Sequence, residues 1–198
     1  MTEINPLHNL SRYDIRLASA SPRRRELMAM LDIPFTIAEP LDIEESYPTD
    51  LPALEVAPYL AMLKSKAYNP TGNMMIITAD TVVVAPDGSV LGKPCNAADA
   101  RLMLRRISGG LHTVVTGVCV ATAEKRETIT CSTNVMFDAL STEEIDYYVD
   151  HYAPLDKAGA YGIQEWIGAA GVSSIEGSFY NVMGLPVHRL YTLLRDSF

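Results

Sequence analysis

The sequence predicts an α/β fold built around a mixed sheet. Three observations carry that expectation. Met74 to Val84 is a continuous apolar run rich in β-branched residues, the pattern of a strand buried on both faces. Helical patterns start behind Ser21, Asn96 and Ser141, each a residue whose side chain can cap a helix. Asp87-Gly88 and the paired apolar runs around it point to hairpins among the helices, so strands and helices mix along the chain.

In order, Ile15 to Ala18 reads as a short strand feeding Ser19-Ala20-Ser21-Pro22. Ser21 is a suitable N-cap and Pro22 a suitable first residue for a helix from about Arg23 to Leu31, with Leu27, Met30 and Leu31 on its apolar face. An acidic loop follows, Asp42-Ile43-Glu44-Glu45, then a helix from about Pro58 to Tyr68 that carries Lys64 and Lys66. After the central strand a turn at Asp87-Gly88 returns the chain through Val90 and Leu91. Asn96 caps a helix over Ala97 to Ile107, stopped at Gly109 and Gly110. Strands over His112 to Thr122 and Glu127 to Phe137 come next. Ser141-Thr142-Glu143-Glu144 has capping-box spacing and opens a helix to Tyr152. Ala153 to Gly177 reads as loop because of its five glycines, and Leu185 to Leu194 as a closing helix.

The 198 residues fit one domain, or two lobes sharing one core. Met1 to Asp14 is polar, and the longest apolar run is broken by Asp80 and too short for a bilayer, so a soluble, cytoplasmic protein without membrane contact is expected. Cys95, Cys119 and Cys131 lack metal-site or disulfide spacing and read as buried, reduced thiols. A formal charge of −8 argues against a nucleic acid polymer as partner. It leaves room for a small anion, because Arg23, Arg24 and Arg25 are consecutive in a chain with only five lysines.

Two anomalies point to chemistry. Cations at a helix N-terminus oppose the macrodipole by about 0.3–1 kcal/mol each, an arrangement that makes sense around a bound anion. The plain alternative is a solvated basic helix end. Asp80 places a carboxylate inside a buried strand, where an unpaired charge is strongly unfavourable. It needs a cation, a metal or a cleft; the alternative is a structural aspartate at a sheet edge. Gly92-Lys93-Pro94 sets a lysine just beyond the hairpin, within reach of the same region. His112 has no second histidine near it in the sequence and reads as a structural hydrogen-bonding group. Tyr147, Tyr148 and Tyr152 read as packing residues.

These residues stand in a series of motifs: Leu17-Ala18-Ser19-Ala20-Ser21-Pro22-Arg23-Arg24, Ala79-Asp80-Thr81, Gly92-Lys93-Pro94, Ser108-Gly109 with His112, and Thr116-Gly117-Val118. Asp156-Lys157-Ala158-Gly159-Ala160-Tyr161-Gly162-Ile163-Gln164 and Ile175-Glu176-Gly177-Ser178, with Tyr180, Val182 and Gly184-Leu185-Pro186, complete the series. Together they resemble the Maf family of nucleoside triphosphate pyrophosphatases, and the resemblance runs from Ile15 to the C-terminus. It implies a twisted mixed sheet in an elongated, two-lobed, ITPase-like fold with a central cleft, often homodimeric. It also implies cleavage of the α–β phosphoanhydride with a divalent metal, Mg²⁺ or Mn²⁺. By motif, Asp80 is the general base, and Ser19, Arg23, Arg24, Lys64 and Lys93 contact the nucleoside triphosphate. Arg23, Thr81 and Gln164 fall where the family sets base specificity.

Asp80 and Glu45, with Glu44 the alternative, are the candidate metal ligands, since Mg²⁺ prefers oxygen donors. The Gly-Ile-Gln form of the last motif resembles the branch acting on dTTP and UTP. Two departures stand out: Leu60-Ala61-Met62-Leu63-Lys64-Ser65-Lys66-Ala67 leaves Lys64 and Lys66 both open as the cleft lysine, and Glu165-Trp166 is bulkier than the glycine-rich continuation usual there. Two other functions stay open: a pyrophosphatase for 7-methyl-GTP or another modified nucleotide, and a non-catalytic nucleotide-binding regulator of cell division.

Overall fold

The computed structural model describes residues 5–198, so the first four of the polar N-terminal residues lie outside it. The chain builds a seven-stranded mixed sheet in the order β2-β1-β3-β5-β6-β7, with β4 on the far part of β3. The strands are β1 (Asp14–Leu17), β2 (Thr36–Ile37), β3 (Met74–Val84), β4 (Val90–Leu91), β5 (Leu111–Ala121), β6 (Arg126–Phe137) and β7 (Val172–Glu176). The helices are α1 (Pro22–Ala29), α2 (Ala53–Ala67), α3 (Ala97–Ile107), α4 (Thr142–Tyr152), α5 (Trp166–Gly171), α6 (Phe179–Met183) and α7 (Val187–Ser197). Strands β2, β1 and β3 run parallel and the remaining pairs antiparallel. No described helix is long and apolar enough to cross a membrane.

The caps read from the sequence are present. Ser21 accepts from the Arg24 N–H, Asn96 from that of Asp99, and Ser141 forms a full capping box with Glu144.

Strand alternation sorts the core. Met75, Ile77 and Ala79 of β3 join Val118 and Val120 of β5 in one apolar cluster with α1 and α7. Farther along the same face, Val83 and Val114 belong to a second cluster with α3 and α4. On the opposite face Val82 and Val115 meet Val56, Ala57 and Leu60 of α2. Asp80, one residue out of phase with Ala79, is thereby turned toward α2.

Helix α2 lies unusually close to the sheet. Gly117 on β5 pairs directly with Asp80 on β3. A Cβ at Gly117 would come within 2.3 Å of the Pro58 Cα and 2.7 Å of the Ala57 carbonyl carbon, so only glycine allows this approach. The buried stripe Ala57, Pro58, Ala61 and Ser65 is correspondingly small. The Thr78 hydroxyl donates to the Ala61 carbonyl at 2.7 Å and locks the helix onto β3.

The structure corrects four expectations. Helix α2 begins at Ala53, so Pro58 lies inside it rather than at its start. Proline removes one helical hydrogen bond there, and its contact with Gly117 occupies that face. The segment read as loop holds α5 and β7. Gly168 and Gly171 belong to the helix because side chains there would strike the Ile163 carbonyl and Leu140. β7 is an edge strand whose exposed residues show no alternation. The helix expected over Arg23 to Leu31 ends at Ala29, and Met30, expected on its apolar face, is 55% exposed. Finally, Cys95 is exposed and Cys131 only partly buried; of the three thiols, Cys119 alone is buried.

Gly117→Ala should destabilise the fold by about 1–3 kcal/mol, the usual cost of overpacking. Gly92→Ala, with nothing near its Cβ, should stay within about 0.5 kcal/mol. Urea unfolding of both variants checks the contrast, and equal stabilities would remove the close-packing argument.

Candidate active site

The site lies where β3 has an open edge. β1 pairs with β3 up to Leu17 opposite Ile77, the Ala18 N–H donating to the Ile77 carbonyl at 2.8 Å. β4 joins only at Val83. Between them Asp80 and Thr81 border a cleft of about 500 Å³, beyond the carboxyl end of the parallel strand β1. Crevices at that end of parallel strands are where α/β sheets bind ligands. Five cationic side chains and three carboxylates line it, so a chain of net charge −8 gathers positive charge here.

Asp80 is 8% exposed. Its Oδ1 accepts from the Lys64 ammonium at 2.6 Å, and the same Nζ lies 2.8 Å from the Glu45 Oε2. Close packing of α2 is what brings Lys64 there. Lys66 is exposed, while the intervening Ser65 is buried and accepts from Arg126 at 3.0 Å. The cleft lysine is therefore Lys64, and Glu45 rather than Glu44 is the acidic-loop residue that meets it.

On the other side of β3, Arg24 reaches in from the first turn of α1. It donates to the Gly184 carbonyl at 2.8 Å, the Thr81 hydroxyl at 3.1 Å and the Ser19 hydroxyl at 3.5 Å. All three acceptors are uncharged. Burial lowers the guanidinium's pKa and the Asp80 charge works against that, yet arginine keeps its proton. A charged group with only neutral partners is a ready anion site. The Thr81 hydroxyl also meets that of Thr116 at 3.0 Å, and Thr116 donates to the Asn181 carbonyl at 3.1 Å. This polar seam separates the two apolar clusters on that face.

Arg23 has a different setting. It donates to the Asp156 carboxylate at 2.7 Å, across the cleft from α1. Burial raises the Asp156 pKa, but hydrogen bonds from Lys157 and Arg23 outweigh it and hold the value at about 2. Lys93 and Gln164 are exposed in the cleft wall. The cleft thus collects all nine side chains proposed from the sequence: Ser19, Arg23, Arg24, Glu45, Lys64, Asp80, Thr81, Lys93 and Gln164.

Sequence reasoning assigned no role to Asp156 and Lys157, although both line the cleft. Lys157 is 8% exposed; an adjacent Asp-Lys pair before a glycine turn was the available signal. His112 is buried, its Nε2 2.8 Å from the Tyr161 hydroxyl, with edge-on contacts to Phe137 and Tyr161. That is the structural role expected of it. Tyr147 packs on His151 and Trp166, and Tyr148 is buried, consistent with packing rather than base stacking.

The residues present fit a hard divalent cation. Asp80 and Glu45 already turn carboxylate oxygens toward one positive charge, and Mg²⁺ commonly takes one or two carboxylates and completes its shell with substrate phosphates and water.

A mixed sheet with a cleft of clustered cationic side chains at its open edge defines an α/β protein with a candidate anion site. Its fold is similar to that of a HAM1 protein from Coxiella burnetii, with a TM-score of 0.53 over 93% of this chain and all of the other, at 14% identity. Residues 14–197 match the model of the Maf-like proteins, and the chain belongs to the Maf family. It is 52% identical over 194 residues to a dTTP/UTP pyrophosphatase of Porphyromonas gingivalis, covering 96% of this chain and 97% of that one. A dTTP/UTP pyrophosphatase of Bacteroides thetaiotaomicron is 51% identical over 191 residues, covering 96% and 98%.

Burial pushes the His112 pKa down to about 4. Between about 6.5 and about 4 the unfolded chain binds a proton that the folded chain refuses. Stability should therefore fall as pH drops through that window, by up to about 1.4 kcal/mol per pH unit. Urea titrations at stepped pH should show this slope in the wild type and a flatter one in His112→Gln; identical slopes would place the titration elsewhere.

Proposed function

We propose that this chain hydrolyses dTTP and UTP to the monophosphate and pyrophosphate in the cleft beside Asp80. The observation that carries the reading is the Lys64 ammonium held between Asp80 and Glu45, opposite an Arg24 without a charged partner. A buried ion pair is weak evidence for stability, so a lysine shared by two carboxylates in a cleft calls for a functional reason. The names of the relatives point to the same substrates.

A nucleoside triphosphate carries about four negative charges near neutral pH, and neutralising them is most of what phosphoryl-transfer catalysis requires. Arg24, Lys64 and Lys93 supply fixed charge for the phosphate chain. Arg23 contributes when phosphate oxygens compete with Asp156 for its guanidinium. Lys64 is placed to move from the carboxylates to the departing pyrophosphate, leaving the Asp80 Oδ1 free to take a proton from the attacking water. Asp80 and Glu45 would hold a divalent cation, Mg²⁺ or Mn²⁺. When bound, such a cation supplies further charge to the phosphate oxygens and polarises water.

At the base end, the Gln164 amide offers one acceptor and two donors. It can accept from N3–H and donate to O4 of uracil or thymine. Cytosine reverses both groups, and a 7-methylguanine presents a different edge, so Gln164 favours the uracil/thymine reading over that alternative. Asp80 together with Lys93 favours an enzyme over a non-catalytic regulator. A homodimeric, cytoplasmic protein is part of the proposal on the family resemblance alone.

With Mg²⁺ or Mn²⁺, UTP should yield UMP and pyrophosphate in equal amounts. Asp80→Asn in the same assay should lose at least about 100-fold in turnover, the lower range for a general base, while the variant stays folded by circular dichroism. Orthophosphate in place of pyrophosphate would overturn the reaction, and near-normal turnover in Asp80→Asn would move the base elsewhere.

A further inference from the structure

The turn that carries Gln164 is held by an ion-pair network outside the base edge itself. Glu165 follows Gln164 and occupies the N-cap of α5, yet its side chain makes no capping bond. The carboxylate turns back instead: one oxygen lies 3.1 Å from the Lys157 Nζ, and the other accepts from the Tyr148 hydroxyl. Tyr148 in turn accepts from the Gly162 N–H at 3.0 Å, while the Glu165 N–H donates to the Gly162 carbonyl at 3.0 Å. Lys157 also donates to Asp156 at 2.8 Å, and Asp156 accepts from Arg23 at 2.7 Å.

The turn is clamped sterically as well. A Cβ on Gly162 would meet the Glu165 carboxylate at 2.8–2.9 Å and the Lys157 Cε at 3.0 Å. On the other side the Ile163 carbonyl sits where a Cβ of Gly168 would be, at 1.9 Å. Residues 162–164 thus lie against the Lys157–Glu165 ion pair and the tyrosine hydrogen-bonded to it, with Lys157 at 8% and Tyr148 at 0% exposure. A network of this kind rigidifies when every member is satisfied. The Gln164 side chain is exposed and hangs from this turn, so the turn decides where in the cleft its amide can stand.

We propose that Glu165, with Lys157 and Tyr148, is a positioning residue for substrate choice: it fixes the backbone turn that aims the Gln164 amide, and so sets the preference for UTP over CTP. The proposal rests on the reading of Gln164 as the base-recognising residue. It also gives the Glu165 side chain a place behind the turn and outside the cleft. Glu165→Gln keeps size but sets an amide N–H₂ or a neutral carbonyl against the Lys157 ammonium. Tyr148→Phe removes only the hydroxyl between Glu165 and the Gly162 N–H.

The test is kcat and KM for UTP and for CTP in wild type, Glu165→Gln and Tyr148→Phe, each also combined with Gln164→Ala, alongside melting temperatures. Each single network variant should lower the UTP-over-CTP ratio of kcat/KM by about tenfold, the scale of a misplaced recognition group, chiefly through a raised KM for UTP. In the Gln164→Ala background, where the ratio is already lost, neither should lower it further. If Gln164→Ala collapses the ratio while Tyr148→Phe and Glu165→Gln keep the wild-type value, with or without a lower melting temperature, the positioning role is wrong and the Gln164 reading stands. If Gln164→Ala itself leaves the ratio unchanged, that reading fails and the inference falls with it. A further drop of equal size on top of Gln164→Ala would also overturn it, because Glu165 would then act without Gln164.

Discussion

Everything at the centre of this molecule depends on how closely α2 lies on the sheet. Gly117 leaves no side chain between β5 and the helix, and Pro58 and Ala57 fill the space at backbone contact. That approach carries Lys64 to the level of Asp80, the residue paired with Gly117 in the adjacent strand. A larger residue at position 117 would lift the helix and withdraw the ammonium from the carboxylate. One glycine on the far face of a strand therefore sets the electrostatics of the cleft.

The second dependence is the interrupted edge of β3. β1 leaves after Leu17 and β4 arrives at Val83, so two consecutive residues with opposite facings, Asp80 and Thr81, both reach the cleft. Asp80 serves the α2 side with Lys64 and Glu45. Thr81 serves the α1 side, holding Arg24 through a hydroxyl rather than a charge. Keeping Arg24 on neutral acceptors preserves its charge for a ligand, whereas Arg23 is shared with Asp156. The two neighbouring arginines, alike in sequence, are thus set up differently by what faces them.

Much of this was legible in the sequence, for identifiable reasons. The β3 run, the caps at Ser21, Asn96 and Ser141, and Asp80 as an anomaly were readable because local pattern and tertiary role agree there. Eight of the nine cleft side chains were readable through motifs spread over most of the chain. The start of α2 was not, because Pro58 mimics a helix start while its actual role is a contact with Gly117, far along the chain but adjacent in space. α5 and β7 were hidden by glycines needed for close approach and by an edge strand without alternation. Asp156, Lys157 and Glu165 stood out singly in the sequence, but their network with Tyr148 was hidden because Tyr148 reads as a packing residue on a separate helix until the fold brings the four together. Lys64 and Lys66 could be separated only by seeing which one the helix turns toward Asp80.

The central claim, that the close-packed α2 delivers Lys64 as the charge on which the chemistry of the cleft turns, is tested most directly by comparing Lys64→Met with Lys66→Met. The measurement is kcat/KM for UTP in folded samples of both. Lys64→Met should lose about 100-fold or more, the scale of removing one preorganised charge-stabilising donor, while the exposed Lys66 can be replaced with a change of no more than about twofold. Equal losses in the two variants, or a near-normal Lys64→Met, would contradict the account.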